Sequence, residues 1–453
     1  MGLNSNYILA DSDLLGSFGC EDYSVFLNVD DKSFLRHLKN DAELSDFEES
    51  LKLYSAAIHE YRHYFDMTHT TYGITHFYNL DQALRQRFKQ NKGDEFSFHK
   101  IKSFTNELKK IRYPSYYSHL WQEDNSKQWE LRPTIGKVFD SYGHVSDRPV
   151  LFARYFNSQG EALSRHPFSM VSLLECSATI DEYINSMGLI SSLSKDEASY
   201  NFLIARFDKI NMDYIYNINL TEYSTCFHLT ANRFRITHLQ KLFDISRVLI
   251  DICLNFTERH FELLNQSNLV DRLYKPSQRF SAEELQDYIY FNSSLKNGLK
   301  FLERPILFYV LLNLMEIKEY HNKQEVIGEL DKILNICGLT CKDIMIDSKA
   351  FIKDKARLVF NSQINYFSKI AQTISPNLDR ISKFRDEEDG FNFLLKFIEH
   401  LDMPRIEMYS GFEILIKRDN NLLEDIDYSQ EIENIKLLRD WVNEYDNAWR
   451  IQT

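Results

Sequence analysis

Residues 55–73 read SAAIHEYRHYFDMTHTTYG, and the expected fold of the chain is built around this stretch. It belongs to a longer segment whose apolar residues recur at intervals of three and four, which predicts one amphipathic helix. The residues of this apolar stripe are Phe47, Leu51, Tyr54, Ile58, Tyr61 and Phe65. Ser45 and Glu48 have capping-box spacing, so the helix is predicted to begin near Ser45. It is predicted to end within residues 68–71, with Gly73 closing it.

Within this helix, His59, Glu60 and His63 form the pattern H-E-x-x-H. Two histidines four residues apart lie on one face of a helix, so both rings can reach the same metal ion. At ~100° per residue, they flank the apolar stripe at the border between buried and exposed surface. Glu60 lies further round, toward the expected cleft. The pattern therefore predicts two metal ligands with a carboxylate beside them.

This helix-borne pattern resembles the zincin metallopeptidases, in which the two histidines bind zinc and the glutamate is the general base. The resemblance implies that His59 and His63 hold Zn²⁺ and that Glu60 accepts a proton from water activated by the metal. The longer metzincin pattern is absent, because Asp66 and Thr70 stand where it has a glycine and a third histidine. The implied activity is hydrolysis of peptide bonds in a protein or peptide substrate.

A gluzincin-like site would take its third ligand from a glutamate on a separate downstream helix. The stretch LLECSATIDEY, residues 173–183, is typical of such a helix, and the small residues after Glu175 would allow close packing. Glu175 is therefore the preferred third ligand and Glu182 the next. Asp66 stays open as a ligand or as a hydrogen-bond partner of a ligand histidine.

Weaker candidates surround this site. His69 and His76 follow the motif closely enough to act as ligands, although histidines in such positions are usually not bound to metal. His166 and Tyr155 could stabilise an oxyanion, but no spacing requires either of them.

The composition favours a helical protein of more than one domain. A chain of 453 residues exceeds one ordinary core, and its 14 glycines and 8 prolines are few, which favours long helices over short strands. Period-two alternation predicts a strand at residues 21–30, and residues 149–156, PVLFARYF, are a second strand candidate. The fold class is therefore predicted as mainly α (α+β), with a small sheet and the H-E-x-x-H helix in a zincin-like N-terminal domain. Residues 113–148 show no pattern that assigns them.

A second helix is predicted from Pro167 to Met187, with proline in its first turn and Gly188 just beyond its end. The polar residues 191–198 predict a domain boundary. They divide the chain into a metallopeptidase domain, residues 1–195, and an all-helical region, residues 196–453, with a regulatory or substrate-binding role. Helices in that region are predicted over residues 238–264, 282–301, 303–320, 350–371, 389–401 and 429–447.

The charge of the chain and its lack of recognisable targeting signals restrict the expected classes of partner and the expected cellular compartment. The net charge of −13 and the pI near 5.6 give no general attraction for nucleic acid. No secretory signal is visible, the apolar run at residues 306–315 is too short to cross a bilayer, and the six cysteines are scattered. A cytoplasmic protein without a membrane or nucleic-acid partner is predicted.

Two functions remain at the level of sequence. The first is a cytoplasmic zinc peptidase whose C-terminal half restricts access to the site or senses a trigger. A role in stress response or phage defence fits this design, and a regulatory partner or a homo-oligomer is compatible with it. The second is a non-catalytic helical interaction protein whose metal site is structural or incidental. The presence of zinc and its dependence on His59 and His63 separate the two.

Overall fold

The structure, a computed structural model, describes residues 16–20, 22–28, 44–88, 99, 101–103, 111–122, 129–139, 143–194, 196–273, 282–387, 400–408, 413–414, 423, 433 and 440. Over these residues the protein is mainly α-helical with two small sheets, so the predicted mainly α (α+β) class is confirmed. The zincin-like character of the N-terminal domain stays a prediction. No helix in these ranges is both long and apolar enough to cross a membrane.

The α-helices of the described residues are α1 (Leu44–His69), α2 (Thr71–Phe88), α3 (Met170–Leu193), α4 (Glu197–Ile215), α5 (Thr225–Phe234), α6 (Leu239–Asn255), α7 (Glu258–Gln266), α8 (Ala282–Lys300), α9 (Arg304–Leu314), α10 (Lys323–Leu334), α11 (Cys341–Phe360) and α12 (Asn365–Glu387). The strands are β1 (Gly16–Phe18), β2 (Val25–Leu27), β3 (His119–Leu120), β4 (Glu130–Phe139), β5 (Val145–Phe156), β6 (Ala162–Pro167), β7 (Ile406–Met408) and β8 (Glu413–Ile414).

The chain forms two compact units built from separate segments. The first unit comprises residues 1–110, 181–201 and 349–453, and the second comprises residues 111–180 and 202–348. The division falls inside α3, which is one continuous helix. It does not coincide with the boundary predicted near residue 195. Which segments fold alone is a separate property, so that boundary stays a prediction.

The sheet of the first unit has the strand order β1-β2-β7-β8. β1 and β2 form an antiparallel pair, and β7 joins β2 in parallel, with Val25 opposite Ile406 and Leu27 opposite Met408. The expected strand at residues 21–30 is thus present as β2. The expectation of an all-helical C-terminal region is wrong at residues 406–408 and 413–414, which form β7 and β8 of this sheet. Strands of two or three residues are too short to show a periodicity in the sequence.

The predicted H-E-x-x-H helix is present as α1 and ends at His69, within the predicted range, but the expected role of Gly73 is wrong. α2 begins at Thr71, immediately after the break at Thr70, whose Oγ1 accepts a hydrogen bond from the Gly73 backbone N–H at 3.0 Å. Gly73 therefore lies inside α2 and does not close α1. A Cβ at Gly73 would overlap the backbone of Asp66 and Met67, so glycine is needed for close approach of the two helices.

The sheet of the second unit has the order β3-β6-β5-β4, with every neighbouring pair antiparallel. The strand predicted at residues 149–156 is confirmed as the larger part of β5. β3 and β4 lie in residues 113–148, which the sequence left unassigned. One face of the sheet packs against α5 of the same unit, where the Tyr155 hydroxyl lies 3.1 Å from Thr225 Oγ1.

The second predicted helix is present as α3, shifted toward the C-terminus. Pro167 ends β6, and Gly188 lies within α3 rather than beyond it. Side chains 170–181 of α3 are all buried, so tertiary packing outweighs the low helix propensity of one glycine.

The later helical predictions hold with changed bounds. Residues 238–264 form two helices, α6 and α7, because Thr257 caps the second one through the backbone N–H of His260. Residues 350–371 span the end of α11 and the start of α12, and α9 ends at Leu314 rather than near residue 320. The predicted helices at 389–401 and 429–447 lie almost wholly outside the described residues.

Candidate metal centre

His59 and His63 lie one turn apart on α1, as their spacing requires. Their ring centroids are 4.8 Å apart, with the ring planes at 79°. His63 is buried, whereas the His59 side chain is 16% exposed. Ile58 and Tyr61 are both 2% exposed and anchor the apolar side of the helix. The histidines therefore occupy the predicted border between core and surface.

The C-terminal half of α3 packs beside α1 in the first unit and orients the first histidine. Ser55 Oγ and Ser186 Oγ are 2.7 Å apart, so small side chains allow the two helices to approach closely. His59 Nδ1 lies 3.2 Å from Glu182 Oε2. With its proton on Nδ1, His59 donates to this carboxylate and keeps the lone pair of Nε2 for a metal. Glu182, the second choice as third ligand, is thus a hydrogen-bond partner of a ligand candidate.

Glu175, two turns before Glu182 on α3, completes the arrangement. One nitrogen each of His59 and His63 and one Glu175 carboxylate oxygen all lie within 4.8 Å of one another. Among the described residues, neither Asp66 nor Glu182 belongs to this group. The structure thus brings together the three residues that the sequence proposed as metal ligands, and their role as ligands stays a prediction.

The donor set fits zinc. Two imidazole nitrogens and one carboxylate oxygen are the protein ligands of many catalytic zinc ions, which keep a fourth position open. Bonds of ~2.0–2.2 Å would place the ligand atoms ~3.4 Å apart in a tetrahedral site. Since the atoms lie within 4.8 Å of one another, they have to approach by at most about 1.4 Å to reach this geometry, which small side-chain rotations can supply.

Glu60 packs against Gly16 of strand β1 and is 6% exposed. A Cβ at Gly16 would stand 2.7 Å from Glu60 Cγ and 2.9 Å from Glu60 Oε1, so only glycine leaves room for this side chain. The next aromatic residue of the strand, Phe18, lies 6.4 Å from the His63 ring between centroids. No local sequence pattern points to Gly16, because the contact joins residues 44 positions apart.

Asp66, the alternative ligand, is engaged elsewhere. Arg62 contacts Asp66 Oδ1 at 2.7 Å through Nη2 and Asp181 Oδ2 at 2.8 Å through Nη1. All three side chains are buried, and the guanidinium group links α1 to α3. Sequence reasoning missed Arg62 and Asp181, since a basic residue inside the motif carries no sign of its distant partner.

His69 and His76 are not part of the metal grouping. Burial lowers the pKa of both imidazoles to about 3, and the Arg62 charge adds to the shift at His69. His69 Nδ1 lies 2.7 Å from Thr68 Oγ1, and His76 Nδ1 lies 3.1 Å from the Tyr23 hydroxyl. Both histidines are neutral core residues of the first unit.

The two oxyanion candidates belong to the sheet of the second unit. The Tyr155 hydroxyl is fully buried and is already bonded to Thr221 and Thr225. Burial lowers the pKa of His166 to about 4, assisted by the charges of Arg112 and Arg165. The hydrogen bonds of Tyr155 show a structural role for that hydroxyl.

Comparison with protein-family models, with curated proteins and with solved structures found no match to this chain.

Proposed function

We propose that the protein is a zinc-dependent peptidase in which His59, His63 and Glu175 hold the metal and Glu60 is the general base. The observation that carries the proposal is the convergence of these three ligand candidates within 4.8 Å, on the helix that carries the H-E-x-x-H pattern. The resemblance to the gluzincin-like branch of the zincins gives the expected chemistry.

Zinc bound here would polarise the substrate carbonyl and lower the pKa of water to about 7. Glu60 follows His59 directly in the chain and accepts the proton of the attacking water, which it then gives to the leaving amine. Glu182 holds the His59 ring in one orientation through the 3.2 Å contact at Nδ1. Gly16 of β1 packs closely against the Glu60 side chain, so the position of the Glu60 carboxylate does not depend on the substrate alone.

A protein or peptide in extended conformation is the proposed substrate. In the described part of the first sheet, β1 is an edge strand, and it passes over Glu60. An edge strand offers unpaired backbone groups that an extended peptide can use. The proposed compartment is the cytoplasm, where such activity requires restriction, and we assign that role to the mostly helical region after residue 196.

The proposal is tested by expressing the wild type and Glu60→Gln in cells and identifying new protein N-termini by mass spectrometry. The wild type should produce fragments that Glu60→Gln does not, because the amide cannot accept the proton. Glu197→Gln, an exposed glutamate on α4, is the matched control and should produce the wild-type fragments. Identical N-termini from the wild type and Glu60→Gln, with zinc bound in both, would favour the non-catalytic interaction protein.

A further inference from the structure

Three arginines lie side by side across the sheet of the second unit. Arg132 on β4 stands opposite Arg154 on β5, which stands opposite Arg165 on β6. His119 on β3 is opposite Arg165 and extends the row. Residues directly opposite on neighbouring strands project from the same face. With strands ~4.8 Å apart, the row of four side chains spans the whole sheet, ~14 Å.

Like charges directly opposite one another destabilise a sheet. Arg132 is compensated, because Glu130 accepts hydrogen bonds from its Nε and Nη2 at 2.7 and 3.0 Å. Arg154 and Arg165 have no carboxylate partner among the described residues, and the Nε atoms of both are buried without a hydrogen-bond acceptor. Within the part of the chain that the structure describes, these two adjacent guanidinium groups therefore lack a counter-charge.

Aromatic rings are interleaved with these guanidinium groups. Arg154 lies over the Trp121 ring at 5.8 Å, and Arg165 lies over Phe152 at 5.0 Å. Trp121 is 44% exposed, so part of its indole surface is open to solvent. The opposite face of the sheet is covered, since Tyr155 packs toward α5 there. The arginine row thus lies on the other face, beside an exposed indole.

We propose that this arginine face, made of Arg132, Arg154, Arg165 and Trp121, binds a single strand of nucleic acid. Guanidinium groups match phosphate oxygens in charge and in bidentate geometry. An exposed indole stacks on an unpaired base, which a duplex does not present. A phosphorylated peptide would satisfy the arginines but would leave the indole without a function.

The net charge of −13 had led us to expect no nucleic-acid partner. That expectation averages the charge over the chain, whereas strand register concentrates three cations in one row. The arginine face does not involve the metal centre, so this inference and the proposed peptidase activity stand or fall independently.

Fluorescence anisotropy of the full chain with a labelled single strand of about 12 nucleotides, at about 50 mM salt, tests the proposal. Arg154→Gln with Arg165→Gln should weaken binding at least tenfold and reduce the slope of log affinity against log salt by about 1.4, since each phosphate contact contributes about 0.7. The charge-matched control, Arg206→Gln with Lys209→Gln on exposed positions of α4, should change the affinity less than twofold. Melting followed by circular dichroism confirms that the variants fold.

Trp121→Ala changes a partly exposed side chain and keeps the test decisive if the arginine variant misfolds. It should weaken binding about tenfold through loss of stacking. The proposal is overturned if the wild type binds no single strand at this salt, or if the control pair weakens binding as much as the arginine pair. It is also overturned by two results together. These are an unchanged affinity of Trp121→Ala for the labelled strand, and competition by inorganic polyphosphate or a duplex that is as strong as competition by an unlabelled single strand.

Discussion

Replacement of Glu182 tests how the metal centre is organised without requiring a substrate. Glu182 Oε2 lies 3.2 Å from His59 Nδ1 and fixes the tautomer and orientation of the ring. Glu182→Ala removes the acceptor, so His59 loses part of its preorganisation as a ligand. Loss of such a partner typically lowers metal affinity 10- to 100-fold, which corresponds to about 1.4–2.7 kcal/mol. We therefore expect Glu182→Ala to bind zinc about 10- to 100-fold more weakly than the wild type does.

The affinity is measured by titrating the purified protein with zinc against a chromogenic chelator at neutral pH. Glu182→Gln keeps an oxygen acceptor and should lose less than Glu182→Ala, and the exposed control Glu197→Ala should bind zinc as the wild type does. His59→Ala removes a ligand and should lose the most. An unchanged affinity in Glu182→Ala would refute the reasoning, and a loss as large as that of His59→Ala would make Glu182 itself a ligand.

Three further predictions concern the surroundings of the centre. Gly16→Ala places a methyl group 2.7 Å from Glu60 Cγ; the displaced base should lower peptidase activity about 100-fold with zinc retained, and unaltered fragment yield in cells would contradict this. Arg62→Leu removes the cation that lies between two buried carboxylates and should lower the free energy of unfolding by about 3–5 kcal/mol, measured by urea denaturation; a loss below about 1 kcal/mol would contradict the buried pairing. Because the pKa of His69 and of His76 is about 3 when folded and higher when unfolded, stability should fall as pH drops below ~6.5, by up to about 1.4 kcal/mol per pH unit for each histidine. Thermal melting from pH 7 to 4 measures this loss, and a double replacement by glutamine should flatten it.

The sequence predicted what depends on local patterns. The stripe of α1 repeats over several turns, and its period places His59 and His63 on one flank without knowledge of the rest of the chain. Glu175 was chosen because small residues follow it, and the structure does bring it beside both histidines. The fold class followed in the same way from long helical periodicities and scarce turn residues.

Features that result from contacts between residues far apart in the sequence were not predicted. Gly73 and Gly188 were interpreted as helix stops, but each lies inside a helix, Gly73 at a close approach of α1 and α2. β7 returns to β2 from nearly 400 residues away, and three residues are too few for a pattern. The arginine row exists only through strand register, which the sequence of any single strand does not contain.

Zinc content of the purified protein, measured by elemental analysis, tests the central claim most directly. The account predicts about one zinc ion per chain in the wild type and in Glu60→Gln, since the base is not a ligand. His59→Ala and His63→Ala should lose the metal, and Glu175→Ala should reduce occupancy more than Asp66→Ala. Zinc content that is unaffected by the two histidine replacements would contradict the account.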